Sequence, residues 1–440
     1  MPSDDKKLAY VPMVADYLHP GHLNIIRCAA ELGDVMVGLY TDKAVASYKR
    51  LPFMSYEQRK EIVENIKGVT AVVPQEEKEY EINLRKYKPD YMVHGTDWRE
   101  GPLKKAREQA ISVMSEWGGE VIEPEYTKGI SSTAMHTVAR EIGIMPHMRL
   151  GTLRRLLNVK PMIRIIEAHS ALSALVADNA QYVIPGEVTS AFDGLWLSSL
   201  TDSTVKGKPD IEFVDLTSRI VTVNDILECT TKPIIYDGDT GSQPEHFALT
   251  VKRLERLGVS AVIIEDKTGA KKNSLLEPKL NIHVQDDIHS FSEKINRGKA
   301  AQITNDFMVI ARIESLILGK GIKDAIARAQ AFIEAGADGI MIHSREQSGA
   351  EVFEFSRKYN KLPDRRPLVA VPTNYASVYE RELCEAGINM VIYANQMLRS
   401  SYTSMLKTAE NILRYERAHE ADQDYISALD LIKLIKGNYE

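Results

Sequence analysis

Eight short apolar runs occur between residues 162 and 396, and each ends in polar residues and is followed by a segment with helical spacing. The runs are MIRIIEAHS (162–170), GLWLSS (194–199), PIIYDGDTG (233–241), AVIIEDK (261–267), MVIARIES (308–315), GIMIHS (339–344), PLVAVPT (367–373) and MVIYANQ (390–396). Buried strands that alternate with amphipathic helices are typical of a parallel sheet covered on both faces. Eight such units predict a (β/α)8 TIM-type barrel, and a doubly wound open sheet is the alternative.

The first 142 residues show a shorter version of the same alternation. Five apolar runs, LAYVPMVAD, VMVGLYTD, AVVPQ, YMVHGTD and EVIEPEY, alternate with helical segments that begin near residues 21, 55, 102 and 132. This pattern predicts a second α/β unit, a five-stranded Rossmann-like sheet. We therefore expect a Rossmann-like domain at 1–145, a linker with one short connecting helix at 146–160, and the barrel with C-terminal helices at 161–440.

Composition limits the partners of these two domains. The chain is 44% apolar and 26% charged with a net charge of −6, so no basic face for nucleic acid is expected. The N-terminus lacks an apolar signal core, and no run approaches the roughly 18 apolar residues of a membrane span. Three widely spaced cysteines (Cys28, Cys229, Cys384) indicate reduced thiols. We expect a soluble cytoplasmic protein that binds neither nucleic acid nor membrane.

The most specific short motif of the N-terminal domain is His19-Pro20-Gly21-His22, directly after the first strand and at the start of a helix. Two imidazoles three residues apart at a helix N-terminus, with a glycine that permits close backbone approach, can hold phosphate oxygens. Two incidental turn histidines are the alternative for the tetrapeptide alone.

Residues 8–136 resemble the cytidylyltransferases that act on glycerol phosphate, phosphocholine and phosphoethanolamine. The similarity rests on Asp16 ahead of HPGH, RCAAELGDVMVGLYTD, SYEQRKEIV, HGTDW (94–98) and GISST (129–133). The resemblance implies that His19 and His22 stabilise charge that develops on the α-phosphate of CTP as pyrophosphate leaves. The nucleotide-binding residues that it implies are Asp16, His19, His22, Lys49, Gly95, Asp97, Ser131, Ser132 and Thr133.

The resemblance does not decide which of the other basic residues of this domain lie near the phosphates. Either Lys49 or Arg50 is expected to be the basic residue near the phosphates. Arg59 and Lys67 are further phosphate-side candidates, and the alternative for both is a solvated charge on a helix.

The N-terminal domain also departs from the cytidylyltransferase pattern. Met13-Val14-Ala15-Asp16 replaces a Gly-Thr-Phe-Asp run, Thr96 replaces the first acid of Gly-Asp-Asp-Trp, and Tyr126 stands where an arginine normally precedes Thr-Glu-Gly-Ile-Ser. Since these changes fall around the acceptor and phosphate positions, we expect a non-standard acceptor. A regulatory module that binds CTP without turning it over is the alternative.

Charged residues end four neighbouring strands of the predicted barrel. Asp237 and Asp239 close the third, Glu265 the fourth, Arg312 the fifth and His343 the sixth. Carboxylates on adjacent strands repel one another and are costly to bury without a cation. Mg²⁺ suits them, because it takes a few carboxylates, waters and substrate phosphate oxygens. The strand ends therefore predict a magnesium site that binds an anionic substrate.

The segment EDKTGAKKNS (265–274) is similar to the E-D-K-x-x-x-K-x-N-S signature of phosphoenolpyruvate mutases, in the isocitrate lyase superfamily. Similarity continues through IIEAHSALSA, DGDTG, ARIES, MIHS, VPT and ANQMLRSS, which covers nearly all of residues 150–415. The carbon–carbon lyases of the superfamily carry a Lys-Lys-Cys-Gly-His segment with a catalytic cysteine, and this chain has none. The resemblance therefore disfavours cleavage of an isocitrate-like substrate.

The resemblance implies a role for each residue of the barrel site. Asp237 would ligate Mg²⁺ directly, with Asp239 and Glu265 holding its waters. The residues implied to contact the substrate are Trp196, Ser198 and Ser199 through their backbone at the carboxylate, Arg312 and His343 at the phosphoryl group, and Lys271, Asn273 and Ser274 from the loop after the fourth strand. Asp210 matches an acidic residue on a mobile gating loop that excludes water.

Together the two resemblances imply a bifunctional enzyme of phosphonate biosynthesis, similar in its arrangement to the bifunctional enzyme of fosfomycin biosynthesis, an antibiotic pathway. The barrel would convert phosphoenolpyruvate to phosphonopyruvate, and the N-terminal domain would transfer CMP from CTP to a small phosphonate such as 2-hydroxyethylphosphonate or 2-aminoethylphosphonate. A phosphonopyruvate hydrolase is the main alternative for the barrel. The mutase resemblance also implies a homo-oligomer formed through the barrel, to which residues 416–440 could contribute.

Overall fold

The computed structural model describes residues 6–99, 104–125, 145–184, 187–269, 271–274, 284–422 and 425–435. The chain divides into a compact unit that ends at Ala394 and a second unit that begins at Asn395. The first unit holds both an open sheet and a closed barrel. The α/β prediction for the two parts of the chain is therefore confirmed.

The N-terminal domain is a five-stranded parallel sheet with the strand order 3-2-1-4-5. Its strands are β1 (Leu8–Met13), β2 (Asp34–Tyr40), β3 (Val69–Gln75), β4 (Tyr91–Val93) and β5 (Glu120–Ile122). Its helices among the described residues are α1 (Pro20–Leu32), α2 (Asp42–Ala46), α3 (Tyr56–Glu64), α4 (Glu81–Tyr87) and α5 (Lys104–Ser115), and the helix predicted from about residue 132 lies outside them. Successive residues of β1 face opposite cores, with Tyr10 in one and Val11 in the other, as expected when helices cover both faces.

The region predicted as a linker with one short helix forms a 14-residue helix, α6 (Pro146–Val159). Leu150, Leu153 and Leu156 recur at helical spacing and are buried. Leu153 and Leu156 pack into a core cluster with residues of the barrel strands, including Ile163 and Ile235. This helix therefore closes the amino-terminal end of the barrel.

All eight predicted strands form the barrel, and they are parallel and closed in chain order. The strands are β6 (Ile163–Glu167), β9 (Gly194–Leu197), β10 (Ile234–Asp237), β11 (Ala261–Glu265), β14 (Met308–Ile313), β15 (Gly339–Ile342), β16 (Leu368–Ala370) and β17 (Met390–Tyr393). Pairing of β17 with β6 closes the ring, which rules out the open sheet. The barrel prediction is confirmed, since all eight predicted runs form its strands.

Helices cover the barrel between these strands. They are α7 (Ala171–Asn179), α8 (Ser199–Val205), α9 (Leu216–Leu227), α10 (Pro244–Leu257), α11 (Ile288–Ala301), α12 (Gly321–Glu334), α13 (Ala350–Tyr359) and α14 (Glu380–Glu385). Two antiparallel ribbons, β7 (Gln181–Ile184) with β8 (Glu187–Ala191) and β12 (Lys267–Thr268) with β13 (Val284–Gln285), were not predicted. The second ribbon follows directly on β11 and so lies next to the predicted site.

The second unit contains α15 (Gln396–Tyr415) and α16 (Ala428–Leu434). Apolar side chains such as Tyr402, Met405 and Leu413 are exposed along α15. A contribution of this region to an oligomer stays a prediction. Within the described part of the chain, every helix is too short or too polar to cross a membrane.

Candidate active sites

The carboxyl ends of the barrel strands bring the predicted residues of the barrel to one rim. Asp237 is the last residue of β10, Glu265 is the last residue of β11, and His343 directly follows β15. Asp237, Glu265 and His343 are buried, so their charges interact with little screening. This rim, together with the loops that follow the strands, is called the barrel mouth below.

Lys271 connects three parts of the barrel mouth. Its ammonium donates hydrogen bonds to Asp239 Oδ1 and to Ser199 Oγ. It also donates to Asp210 Oδ1 at 2.7 Å, and the other oxygen of Asp210 accepts from Asn273 Nδ2 at 2.7 Å. Burial disfavours the charge, yet the surrounding carboxylates, Asp239 first, raise the pKa of Lys271 above its ordinary value. The predicted gating acid is thus in contact with the site.

A second contact holds the loop between α8 and α9 over the barrel mouth. Glu212 Oε1 accepts hydrogen bonds from Thr240 N at 2.9 Å and Thr240 Oγ1 at 2.7 Å. Glu212 has a left-handed backbone with φ 59°, which a non-glycine residue adopts at a cost. Asp210 and Glu212 therefore fasten one loop at two points, in the arrangement of a closed lid.

Asp237 is held from several sides. Its Oδ2 accepts from Ser199 N at 3.0 Å and from Ser199 Oγ at 2.8 Å. Arg219 donates to the Asp237 carbonyl at 2.6 Å and to Asp239 Oδ2 at 3.1 Å. Burial opposes ionisation, but Lys271 and Arg219 hold the pKa of Asp237 below its ordinary value. Burial raises the pKa of Asp239 against the attraction of Lys271. The pKa values of these two neighbouring carboxyl groups are therefore shifted in opposite directions.

Arg312 and His343 lie side by side, as the anion-binding prediction requires. Arg312 Nη2 is 2.8 Å from His343 Nδ1 and donates to Ser274 Oγ at 2.9 Å. Glu314 Oε1 lies 2.6 Å from Arg312 Nε and 3.0 Å from His343 Nδ1. Although Glu314 is buried, Arg312 and His343 hold its pKa well below the ordinary range. Burial, together with Arg312, lowers the pKa of His343, which favours a neutral ring.

The donor chemistry of Asp237, Asp239 and Glu265 fits a hard divalent cation. Glu265 is buried, and burial raises its pKa, while its Oε1 makes no hydrogen bond and lies 3.1 Å from Lys267 Nζ. Such an oxygen can accept a metal-bound water or the metal itself. Among the described residues, no three His, Cys, Asp or Glu side chains are already gathered as a ligand shell. The Lys271 ammonium instead provides positive charge at Asp239.

The predicted carboxylate-binding segment is placed differently from one residue to the next. Trp196 is buried in the barrel core, and its carbonyl accepts from Ala168 N at 2.9 Å. Ser198 is buried and precedes α8 as its N-cap residue. Ser199 contacts Asp237 through both its amide and its hydroxyl. Ser199 therefore lies in the barrel mouth, whereas the side chain of Trp196 packs in the barrel interior.

Three residues of the barrel mouth were missed from the sequence. Glu314 joins Arg312 to His343, and it could have been found because it alternates with Arg312 at the end of β14. Lys267 donates to Ser274 Oγ at 2.8 Å and follows Glu265 in the same motif. Arg219 reaches Asp239 from α9, and no local pattern identifies it.

The second candidate site lies at the carboxyl end of β1 in the N-terminal domain. His19 Nδ1 accepts from Gly21 N at 3.1 Å, and His22 Nδ1 lies 3.4 Å from His19 N. The two ring centroids are 4.1 Å apart. Since each Nδ1 faces a backbone N–H, a neutral ring carries its proton on Nε2 and can donate from there. Burial lowers the pKa of His19, and burial with His19 and Lys49 lowers that of His22 to about 4.

The structure separates Lys49 from Arg50. Arg50 forms an ion pair with Asp178 of the barrel at 3.0 Å and donates to Thr231 Oγ1 at 3.0 Å. Lys49 is close enough to His22 to lower the pKa of that histidine. Asp16 is buried and accepts from Phe53 N at 2.7 Å. Of the two basic residues, Lys49 is the one beside the histidine motif.

The two weaker phosphate-side candidates are not supported. Arg59 is fully buried and donates to Tyr40 O at 2.9 Å, to Val14 O and to Asp42 Oδ1 at 2.7 Å, so it is neither a phosphate ligand nor a solvated charge. Lys67 is exposed and precedes β3. It therefore lies at the amino-terminal edge of a parallel sheet, opposite the edge that carries His19.

The remaining predicted nucleotide contacts are only partly described. Gly95 precedes a 3-10 turn (Thr96–Trp98), where Trp98 is buried and stacks on His94 at 4.0 Å. Nothing is described for the side chain of Asp97. Four predicted positions lie outside the described residues, namely Tyr126, Ser131, Ser132 and Thr133.

Comparison with known proteins matches each domain to a family. The family profile described as phosphoenolpyruvate phosphomutase matches residues 153–413. The profile described as cytidylyltransferase-like matches residues 14–138. The first match covers more than half of the chain, and the second covers strands β2 to β5 of the N-terminal sheet.

Individual relatives match the barrel. A phosphoenolpyruvate phosphomutase of Tetrahymena pyriformis is 33% identical over 265 residues, which are 60% of this chain and 83% of that protein. A phosphonopyruvate hydrolase of Variovorax sp. (strain Pal2) is 32% identical over 284 residues, 64% of this chain and 93% of the hydrolase. A crystal structure of a phosphonopyruvate hydrolase complex with oxalate and Mg²⁺ has a TM-score of 0.58 at 30% identity, covering 65% of this chain and 94% of that one.

Proposed function

Because this chain belongs to the phosphoenolpyruvate phosphomutase family and carries a cytidylyltransferase-like domain at its N-terminus, we propose that it has two catalytic activities. The barrel converts phosphoenolpyruvate to phosphonopyruvate. The N-terminal domain transfers CMP from CTP to a small phosphonate.

One observation carries the barrel proposal: Arg312 and the buried His343 lie side by side in a mouth that Asp210 closes through Lys271 and Asn273. In the proposed reaction the bond between phosphorus and the enol oxygen breaks, and a bond between phosphorus and carbon 3 forms within one bound molecule. Water must be excluded during this transfer, since it would take the phosphoryl group. A loop fastened at two points over the mouth that holds Arg312 and His343 supports this requirement.

Each residue of the mouth then has a defined task. Asp237, Asp239 and Glu265 would hold Mg²⁺, which offsets the negative charge of the substrate when bound. The guanidinium of Arg312 offers a planar fork for phosphoryl oxygens. His343 adds a hydrogen-bond donor, and Lys271, Asn273 and Ser274 hold the loops that surround the transferred group.

In the N-terminal domain an oxygen of the phosphonate attacks the α-phosphorus of CTP, and pyrophosphate leaves. His19 and His22 donate from Nε2 to the oxygens that gain charge, which is the main contribution that a site can make to such a transfer. The departures at Met13, Ala15 and Tyr126 support a phosphonate acceptor, and we propose 2-hydroxyethylphosphonate or 2-aminoethylphosphonate.

Phosphorus NMR tests the barrel proposal on purified protein with Mg²⁺ and phosphonopyruvate. Formation of phosphoenolpyruvate supports the mutase, whereas inorganic phosphate with pyruvate contradicts it. Arg312→Lys keeps the charge but loses the fork and should slow the reaction strongly. Arg297→Lys, an exposed arginine of α11, serves as the matched control and should retain the wild-type rate.

A second experiment tests the N-terminal proposal with CTP, Mg²⁺ and a panel of phosphonates and phosphate-ester alcohols. A CMP–phosphonate signal together with pyrophosphate names the acceptor. Reaction with phosphocholine or glycerol phosphate alone would contradict a phosphonate acceptor. CTP that binds without turnover would support the alternative of a nucleotide sensor.

A phosphonopyruvate hydrolase is the second candidate for the barrel. It is favoured by a relative of that activity that matches over 93% of its own length at 32% identity. The hydrolase would direct the transferred phosphoryl group to water instead of carbon, so its site must admit water. The same NMR experiment separates the two, because only the hydrolase releases phosphate.

A further inference from the structure

Among the described residues, the guanidinium of Arg155 on helix α6 donates hydrogen bonds to the N-terminal domain alone. Arg155 Nη1 donates to Pro52 O at 2.8 Å and to Phe53 O at 2.9 Å. Its Nη2 donates to Met54 O at 3.1 Å and to Asp42 Oδ2 at 2.8 Å, and its Nε donates to Asp42 Oδ2 at 3.2 Å. Three successive carbonyls and one carboxylate therefore converge on a single guanidinium.

The segment that Arg155 holds is part of the candidate nucleotide site. Between the first and second of these carbonyls, Phe53 N donates to Asp16 Oδ1 at 2.7 Å, and Asp16 precedes the histidine motif by three residues. Asp42 also binds Arg59, which donates to Val14 O at the end of β1 and Tyr40 O at the end of β2. Arg155 is thus joined by hydrogen bonds to the strand ends from which the site is built.

The other end of the same segment is also fixed to the barrel. Arg50 pairs with Asp178 of α7 at 3.0 Å. Ala46 and Leu51 are buried in the core cluster that Leu153 forms with residues of the barrel strands. Lys49, beside His22, lies between these anchors. The barrel therefore determines the shape of a loop that carries a phosphate-side residue of the N-terminal domain.

We infer that Arg155 is a positioning residue for nucleotidyl transfer: it fixes residues 52–54 and Asp42, and through them Asp16 and Lys49, without contacting the nucleotide. This inference rests on the cytidylyltransferase activity proposed above. An arginine is required because its rigid fork satisfies several acceptors at once, whereas a lysine ammonium is a point charge on a flexible stem. Arg155→Lys should therefore keep the positive charge but lose the set of hydrogen bonds that fixes residues 52–54 and Asp42.

The test uses full-length Arg155→Lys and compares both activities in one preparation. We expect kcat/KM for CTP to fall about 10- to 100-fold, because a displacement of roughly 1 Å around reacting groups costs up to about that much. Barrel turnover with phosphonopyruvate should be unchanged. The loss should be divided between kcat and KM, since both Lys49 and the Asp16 segment are displaced.

Arg154 provides a matched control on the same helix. Its guanidinium donates to Asp306 O and Phe307 O at 3.1 Å and to Asp338 Oδ1 at 2.6 Å, all within the barrel. Arg154→Lys should leave kcat/KM for CTP at the wild-type value. An equal loss of CTP turnover in both variants would overturn the inference, because the effect would then come from helix α6 as a whole.

The outcomes distinguish this inference from the proposed function. Wild-type protein that does not turn over CTP contradicts the proposed function itself. Wild-type turnover with an Arg155→Lys variant of equal kcat/KM contradicts the positioning role alone. A variant that loses both activities, with a lowered unfolding temperature, would assign Arg155 to general stability and also contradict it.

Discussion

The two candidate sites differ in how their charges are arranged before a ligand binds. At the barrel mouth Lys271 is paired with Asp239 and Asp210, and Arg312 is paired with Glu314. At the N-terminal site the described centre is two imidazoles whose pKa values are lowered, so both are neutral at pH 7. A substrate of the barrel must therefore displace carboxylates that already pair with Lys271 and Arg312. A nucleotide, in contrast, brings its negative charge to two uncharged imidazoles.

The sites also differ in how their residues are held. Asp237, Glu265 and Arg312 belong to adjacent barrel strands, so the ladder itself sets their spacing. Lys49 and Asp16 belong to loops, and one of these loops is fastened to the barrel by Arg155 and Arg50. One site is built by its own sheet, and the other depends on a neighbouring domain for part of its shape.

The largest effect that tests the independence of the two chemistries is expected for Asp237→Ala. Removing this carboxylate leaves the amide and hydroxyl of Ser199 without this acceptor and removes the expected metal ligand. Barrel turnover should fall about 1000-fold or more, which corresponds to several kcal/mol of lost charge stabilisation. Phosphorus NMR of the same sample should show unchanged CTP turnover.

The control for this variant is Asp193→Ala at the opposite end of the barrel. Asp193 accepts from Lys160 Nζ at 2.7 Å and from Arg164 N at 2.9 Å, far from the carboxyl ends of the strands. It should retain barrel turnover. Loss of both activities in a folded Asp237→Ala protein would break the distinction between the two sites.

The reverse effect is expected for His19→Ala and His22→Ala. Each loses one donor to the developing charge, so kcat for CTP should fall about 100- to 1000-fold. Barrel turnover measured on the same sample should not change. His246→Ala, an exposed histidine of α10, is the control and should behave as wild type. Near-normal CTP turnover in either motif variant would remove the histidines from the proposed mechanism.

The neutral state of His22 predicts a pH dependence of stability. Its pKa is about 4 in the folded protein against about 6.5 when unfolded, so the unfolded chain binds the extra proton between these values. The contribution of His22 is fully present above pH 6.5 and is lost as the pH falls towards 4. The loss amounts to about 3 kcal/mol.

Urea unfolding of the wild type and of His22→Asn at pH 7 and pH 4.5 measures this contribution. The free energy of unfolding should fall less between pH 7 and pH 4.5 in the variant than in the wild type. The difference between the two losses is the contribution of His22. Equal pH dependence in both proteins would show that folding does not lower the pKa of His22.

The smallest of these effects is expected for the loop over the barrel mouth. Asp210→Ala removes the hydrogen bonds from Lys271 and Asn273, each 2.7 Å long. Barrel turnover should fall about tenfold, as expected for losing a hydrogen bond to a charged group. The loop of the variant should also exclude water less effectively, so more of the phosphoryl group should appear as free phosphate. Asp225→Ala on α9, an exposed acid, should show neither change.

Much of the fold could be predicted because each barrel strand lies in a short, mainly apolar run, and four of these runs end with a charged residue of the site. Asp237, Glu265, Arg312 and His343 meet at one rim for that reason alone. Arg219 reaches the same rim from a helix, and which helix residue faces a site is decided by packing that no local pattern encodes.

The error at Arg59 in the N-terminal domain has the same origin. Arg59 was expected at the surface or at a phosphate, but its guanidinium is buried, because the Asp42 carboxylate and three backbone carbonyls compensate its charge there. Lys67 is an exposed charge in the turn between α3 and β3, at the edge of the sheet opposite His19. The error at Arg59 concerns a charged side chain whose partners are distant in sequence.

Helix α6 has a consequence for any attempt to divide the chain. A fragment that ends at residue 145, the predicted domain boundary, keeps all five strands of the sheet but loses Arg155 and exposes Ala46 and Leu51. A fragment that ends after Val159 keeps Arg155 but removes Leu153 and Leu156 from the barrel. Both the N-terminal domain and the barrel thus need the fourteen residues of helix α6. The smallest fragment that keeps both domains intact therefore contains the two domains together.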